Sequence, residues 1–450
     1  MTVDADETPI RSLDDLLAPF YEACKPQEAW RIGIEVEKHG VFLDGSPVPF
    51  QGERSVSTLL HRLAEQYGWT LEKEHEAGPP IALSRGRTAI TLEPGGQLEL
   101  SGAPARTIHE VAAEVAQHLD EVRSIAEALG IAYLGLGFHP FARREDLPWV
   151  PKLRYPIMRA YLPTRGRLAL DMMLRTCTVQ SNHDYGSEED AMRKLRVALR
   201  IQPIVTAMFA NSPFVEGRVS GERTRRGAVW LEVDPDRSGL LPWAWNEKTS
   251  FRDYVEWALD VPMFLVKRRG AILRNTGQTF RAYLRDGFEE ARATREDWLI
   301  HLNTLFPEAR LKKTLEMRGA DAQGRALIPA LPAFWKGILG TDETLAAAEE
   351  IGARWTHDEL AAERPAIARE GLRARLGGRE IGEWASDLLG IAERGLSALA
   401  EKDAEGRDEA IWLAPLRRLI ARGQTPADAL LAAIDPAQPL GPQIVEAAKL

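Results

Sequence analysis

The chain has 450 residues, 44% of them hydrophobic and 27% charged, with a formal net charge of −9, the balance of a soluble globular protein with ample length for a core. That acidic balance, and the lack of a basic tract interleaved with aromatics, argue against a nucleic-acid binder. No apolar run approaches the roughly 20 residues needed to span a bilayer, and two cysteines, Cys24 and Cys177, are too few for a disulfide framework. The N-terminal MTVDADETPIRS is acidic and polar, neither a secretory signal nor a transit peptide, so a cytoplasmic enzyme is expected. The first hundred residues mix short strand candidates with turn punctuation at Gly78-Pro79-Pro80 and Pro94-Gly95-Gly96. Thr107 and Glu110 form a capping box before an amphipathic helix that runs to Gly130, with Ile108, Val111, Ala112, Val115, Leu119 and Val122 on one face. Residues 131–138 read as a buried strand. Ser187 and Asp190 open a second helix that should end at Pro203, and TAMFANSPF after it reads as helical before Pro213. Segments 228–234 and 311–318 read as strands, and from about 342 onward the pattern is helical. The whole is a mixed α+β pattern without regular βαβ alternation.

Three strand-like stretches place polar groups two residues apart: Glu35-Val36-Glu37, Gln97-Leu98-Glu99 and Glu316-Met317-Arg318. Side chains at i and i+2 of a strand share a face, so Val36, Leu98 and Met317 should face a core and the polar pairs a cavity. Glu93 stands just before the Pro-Gly-Gly turn. Clustered carboxylates repel unless cations lie between them, and an all-oxygen donor set suits magnesium. The plainer reading of each stretch alone is a half-exposed strand. The phosphate-binding loop, the dinucleotide fingerprint, HExxH and GxSxG are all missing. Arginines stand out instead: Arg175, Arg225, Arg226, Arg237 and Arg318. A planar guanidinium holds an oxyanion at two points and stays charged, and Arg318 lies one side-chain step from Glu316.

RIGIEVEKHG, ITLEPGGQLELSGAP, LDMMLRTCTVQSNHDY, LRIQPIVTAMFANSPFVEGR, VWLEVDPDRSGLLP and RLKKTLEMRGADAQGRALIPALPAFWKGIL, in that order, resemble the plant and proteobacterial type of glutamate–cysteine ligase. The similarity spans roughly residues 30 to 340 and continues less distinctly beyond. It implies a curved, mainly antiparallel sheet forming an active-site funnel, related to that of glutamine synthetase, with helices packed outside. Residues 1–340 would form the catalytic core, and 341–450 a helical part packed on the same domain. The resemblance also implies a reaction. ATP phosphorylates the γ-carboxylate of glutamate, and the amine of cysteine displaces phosphate to give γ-glutamylcysteine, the first step of glutathione biosynthesis; joining glutamate to another amine is the alternative. The partners are then small molecules, with no nucleic acid and no membrane, and the protein is expected as a monomer or homodimer.

Carried over by motif, Glu35, Glu37, Glu93, Glu99 and Glu316 are expected as magnesium ligands. Gln180 is a metal or nucleotide contact or else an inward structural amide. Arg226, four residues before Trp230, would grip the carboxylate of substrate glutamate, and Arg318 would meet phosphate or the reacting γ-carboxylate. Trp230 walls the glutamate pocket or is a core tryptophan. Lys312 or Lys313 would meet ATP phosphates. Cys177 packs as a small buried thiol, and His139 and His183 read as structural. The cysteine pairs of redox-switched plant enzymes are not reproduced by Cys24 and Cys177, so no equivalent disulfide control is expected.

Overall fold

The computed structural model describes residues 8–268 and 271–450. At its centre β1 (Ile32–Phe42) alternates along its first half: Ile32, Ile34 and Val36 are buried, whereas Gly33, Glu35 and Glu37 are half-buried. That period of two puts the aliphatic side chains on one face and the carboxylates on the other. The remaining strands of the sheet are β2 (Thr70–Lys73), β3 (Pro80–Arg85), β4 (Thr88–Leu92), β5 (Leu98–Ser101), β6 (Ile131–Leu134), β7 (Val179–His183), β8 (Ala309–Leu311) and β9 (Leu315–Met317). Their order is β8-β9-β7-β1-β5-β4-β3-β2, with β6 paired to the far half of β1. Every pairing in this sheet is antiparallel, as the expected α+β class requires. The register sets Glu37 opposite Glu99 and Glu35 opposite Gln180. Val36, Leu98 and Met317 are buried at 1%, 0% and 1% exposure, so all three stretches present their apolar middle residue to the core.

Helices cover the apolar face. The first, α1 (Val56–Tyr67), buries Leu59, Leu60 and Leu63; the next, α2 (Ile108–Ala128), starts at the expected Thr107–Glu110 capping box and buries Val111, Val115, Leu119 and Val122. A later helix, α3 (Glu188–Met208), runs through Pro203 rather than ending there. Proline costs an interior helix roughly 3 kcal/mol, but Leu199, Ile201, Ile204 and Val205 are all fully buried around it, and that burial holds the helix together. The expected strand at 228–234 is instead the end of α4 (Arg225–Trp230) and the turns after it. Thr224 caps α4, its hydroxyl accepting from the Gly227 N–H at 2.8 Å, and the cap overrides the β-like pattern of Val229 to Val233. The strand expected over 131–138 stops at Leu134, because the next residues leave the sheet to pair with another segment: the Asn211 amide donates to the Gly135 carbonyl and Gly137 N–H to the Asn211 carbonyl. The C-terminal part supplies α5 (Ala330–Leu339), α6 (Asp342–Gly352), α7 (His357–Glu370) and α8 (Ile381–Leu399). One buried cluster runs from Ile32 and Val36 through Leu195 and Phe334 to Leu389 and Ile420, so strands of the first half and helices of the last hundred residues share a core. Among the described residues no helix is long and apolar enough to cross a membrane. The N-terminal stretch used to judge targeting begins in residues 1–7, outside the described residues.

Candidate active site

On the polar face of the sheet lies a cavity of about 430 Å³. Glu35 and Glu37 of β1 and Glu93 and Glu99 at either side of the β4–β5 turn line one wall; Arg226, Trp230, Arg310, Lys312 and Arg318 line the other, with Gln180 between. The β4–β5 turn is locally determined. Gly96 sits at φ +84°, a conformation that side chains rarely adopt, and the Gln97 amide ties the turn to Gly95 N–H and to the carbonyls of Met173 and Thr176. Gln97 is therefore a brace, and Glu93 and Glu99 are what it presents.

Hydrogen bonds rather than salt bridges hold Glu35, Glu37 and Glu99 of the acidic wall. Among the described residues none of its four carboxylates forms an ion pair; Glu35 accepts from the Asn182 amide at 3.1 Å, Glu37 from Thr178 N–H at 2.9 Å and Glu99 from the Ser101 hydroxyl at 2.7 Å. Burial, then the neighbouring Glu316 and Glu99, push Glu35 up to about 7. Burial, then Glu93 and Glu99, raise Glu37 well above the usual carboxylate range, and burial with Glu93 raises Glu99. Like charges held together in a poorly solvated wall repel, and a cation bound among them would relieve that repulsion.

The opposite wall is organised by Glu316. It is fully buried and does not line the cavity. Arg310 grips it at 2.8 and 2.9 Å, Lys312 at 2.7 Å, and Arg318 completes the set. Burial alone would raise its carboxyl, but Arg310, Lys312 and Arg318 overcome that and hold it well below the carboxylate range. One carboxylate thus fixes three cations that do line the cavity. Arg318 also donates to the Gln180 side-chain oxygen at 2.6 Å, and Arg226 donates to the Arg318 carbonyl at 2.8 Å. Trp230 is half-buried at the wall, edge-on to Phe306 at 6.2 Å.

Of the five arginines singled out in the sequence, Arg226 and Arg318 reach the cavity. Arg237 is buried against Asp234 and the Phe264 ring, Arg175 pairs with Asp171, and Arg225 pairs with Glu222. Of the five carboxylates expected as magnesium ligands, Glu35, Glu37, Glu93 and Glu99 line the cavity and Glu316 does not. Glu316 is occupied by the cations just described, and among the described residues no three His, Cys, Asp or Glu side chains gather as a ready-made metal site. Cys177 is wholly buried, its thiol pushed up by burial and by Glu37; His139 and His183 are buried with burial holding each down to about 3. None of the three lines the cavity. Sequence reasoning missed Arg154 and Tyr155, which line the cavity, and Lys152, near enough to Glu93 and Glu99 to feel their charge; burial, then Arg154, pull the Lys152 ammonium down to about 8. Lys152 precedes a short helix, Tyr155–Tyr161, that Arg154 caps, and only the cluster of charge in KLRY hinted at them.

A sheet face with acids on one side and fixed arginines and a lysine on the other is suited to anionic groups and the cations that accompany them. The comparisons with known proteins agree. The glutamate-cysteine ligase family 2 (GCS2) model matches residues 31–447, and the chain belongs to that family, making it an ATP-dependent ligase. It is 43% identical over 421 residues to a chloroplastic glutamate–cysteine ligase of Brassica juncea, covering 93% of this chain and 80% of that one. Glutamate–cysteine ligase B, chloroplastic, of Oryza sativa subsp. japonica is 42% identical over 422 residues, 93% of this chain and 83% of that one. Among solved structures the fold is similar to a glutamate–cysteine ligase from Francisella tularensis in complex with AMP (TM-score 0.54, 12% identity, 93% of this chain and 87% of that). It is also similar to a bifunctional glutathione synthetase from Pasteurella multocida (TM-score 0.52, 15% identity, 97% of this chain and 52% of that). The curated relatives are named as chloroplastic, which overturns the cytoplasmic expectation.

Proposed function

We propose that this protein joins the γ-carboxylate of L-glutamate to the amine of L-cysteine at the expense of ATP, giving γ-glutamylcysteine, ADP and phosphate through a γ-glutamyl phosphate. The observation that carries the reading is the division of one cavity into an unpaired acidic wall and a fixed cationic wall, in a chain of this family. The attacking groups belong to the substrates, so no nucleophilic side chain is needed. The γ-carboxylate attacks the terminal phosphorus of ATP and ADP leaves; the cysteine nitrogen then attacks the acyl carbon and phosphate leaves.

The protein's part is to position the groups and to offset charge. Arg318, held by Glu316 and Gln180, keeps donors free for the oxygens of the transferring phosphoryl group, and Lys312 stands beside it. Arg226 receives the carboxylate of glutamate, and Trp230 closes the pocket. An adjoining cavity of about 740 Å³ shares Ile300, Asn303 and Lys312 with the first and adds the aliphatic Ile81, Leu299 and Leu302 beside charged groups such as Lys267, Glu296 and Lys313, which gives a nucleotide base apolar side chains to rest on with its phosphates toward Lys312. Magnesium, with Glu35, Glu37, Glu93 and Glu99 as its protein donors, would supply the charge neutralisation between the triphosphate and the acidic wall. The donor set fits it: magnesium takes one or two protein carboxylates and completes its shell with water and substrate oxygens, in keeping with carboxylates that are spread along a wall. Residues 1–340 carry this machinery and 341–450 buttress it.

The test is phosphate release from ATP with magnesium and glutamate, with and without cysteine, with mass spectrometry of the product. Cysteine-dependent release with γ-glutamylcysteine formed supports the proposal. Release driven by a different amine keeps the glutamyl phosphate and moves the second substrate; no release with any amine refutes it.

A further inference from the structure

The MRGAD segment holds an acidic residue that the reaction as described does not use. Asp321 is wholly buried and forms no ion pair among the described residues. Its oxygens are spent on three donors. One accepts from the Asn211 N–H and the Ser212 hydroxyl, both at 2.7 Å, and the other accepts from the Thr224 hydroxyl at 2.8 Å. Each hydroxyl has a single proton, and a carboxylate can only accept. With that proton committed to Asp321, the lone pairs of both hydroxyls are turned toward α4. There Ser212 Oγ accepts from the Arg226 N–H at 3.1 Å and Thr224 Oγ1 from the Gly227 N–H at 2.8 Å. These are N–H groups of the first helical turn, which have no partner inside the helix.

The carboxylate has little room to move. A Cβ on Gly137 would lie 2.4 Å from Asp321 Cγ, so the backbone of that loop is pressed against it. The Arg226 side chain is anchored at its other end by the carbonyl of Arg318, three residues before Asp321. The same short segment therefore grips the helix backbone and the guanidinium. Burial pulls the Arg226 guanidinium down, and among the acids that oppose this Asp321 weighs more than Glu37 or Glu308.

We propose that Asp321 is a positioning residue for substrate glutamate: through Ser212 and Thr224 it sets the start of α4 and so the place from which Arg226 meets the substrate carboxylate. The inference rests on the assignment of Arg226 to glutamate made above.

Asp321→Asn keeps the shape of the side chain but turns one acceptor into a donor. The expected result is a KM for glutamate raised about tenfold, the loss of a hydrogen bond to a charged group. The KM for MgATP should stay within about twofold and kcat should fall by the smaller factor, since the loss is in binding. Ser212→Ala and Thr224→Val each remove one arm and should raise the glutamate KM selectively, by about threefold; they decide the matter if Asp321→Asn does not fold. Stability lost with both KM values unchanged, or both raised alike, overturns the proposal. Arg226→Lys separates the two readings. If it leaves the glutamate KM unchanged, the assignment of Arg226 falls and the relay with it; if it raises that KM while the Asp321, Ser212 and Thr224 variants do not, the relay alone falls.

Discussion

Glu35 and Glu316 occupy the same sheet, their strands β1 and β9 separated only by β7, yet they live in opposite electrostatic worlds. Glu35 is one of four unpaired acids and is pushed up to about 7; Glu316 is surrounded by three cations and held well below the carboxylate range. The same residue type on the same sheet thus stands among other acids in one place and is the keystone of a cation cluster in the other. Partners decide this, because the work of burying a charge is offset only by an opposite charge or by hydrogen bonds.

The strongest way to break the contrast is to remove the keystone. Glu316→Gln leaves Arg310, Lys312 and Arg318 facing one another, and breaking such a buried network should cost about 3–5 kcal/mol; denaturant unfolding measures it, and a loss under about 1 kcal/mol would contradict the role given to Glu316. On the acidic wall the effect should be on turnover instead. Glu37→Gln should lower kcat by at least about 100-fold while raising the melting temperature of the metal-free protein, since one repelling charge is gone; in wild type, added magnesium should raise that temperature more than in the variant.

Acid titration sharpens the same comparison. Glu35 binds its proton more tightly folded than unfolded, so the metal-free protein should lose stability as pH rises from 4.5 to about 7. Glu35→Gln should flatten that slope. Glu316 works the other way: its folded value is depressed, so its contribution is present above the unfolded value of 4.5 and is lost as pH falls through the folded one. Stability curves against pH for the two glutamine variants should therefore diverge in opposite directions, and parallel curves would refute the charge states. The smallest effect expected is redox: with Cys177 buried and both cysteines free, oxidant or reductant should change activity by less than about twofold, and a reversible switch in a thiol-titrated sample would show otherwise.

Much of this site was legible along the chain. The i, i+2 spacing of Glu35 and Glu37 on β1 read correctly because strand geometry is local, and the capping box at Thr107 read correctly for the same reason. Helix α4 was mistaken for a strand because Val229 to Val233 carry a β-like pattern while the cap that overrides it depends on Thr224 and its buried surroundings. Lys152, Arg154 and Tyr155 are not legible, because they stand at the very start of a seven-residue helix, too short to show a period that betrays which way its side chains point. The partners of Glu316 are not legible along the chain, because Arg310 reaches it from the neighbouring strand.

The amino-acid order alone determined that the chain forms an α+β sheet protein of the glutamate–cysteine ligase family, that its polar strand faces are acidic, and which arginines follow its motifs. Which acids stay unpaired, which arginines reach the cavity and which carboxylate orders the cationic wall were decided only by tertiary structure. The physical reason is that side-chain direction follows from a few neighbouring residues, whereas charge state and hydrogen-bond partnership depend on groups that only folding brings within a few ångströms.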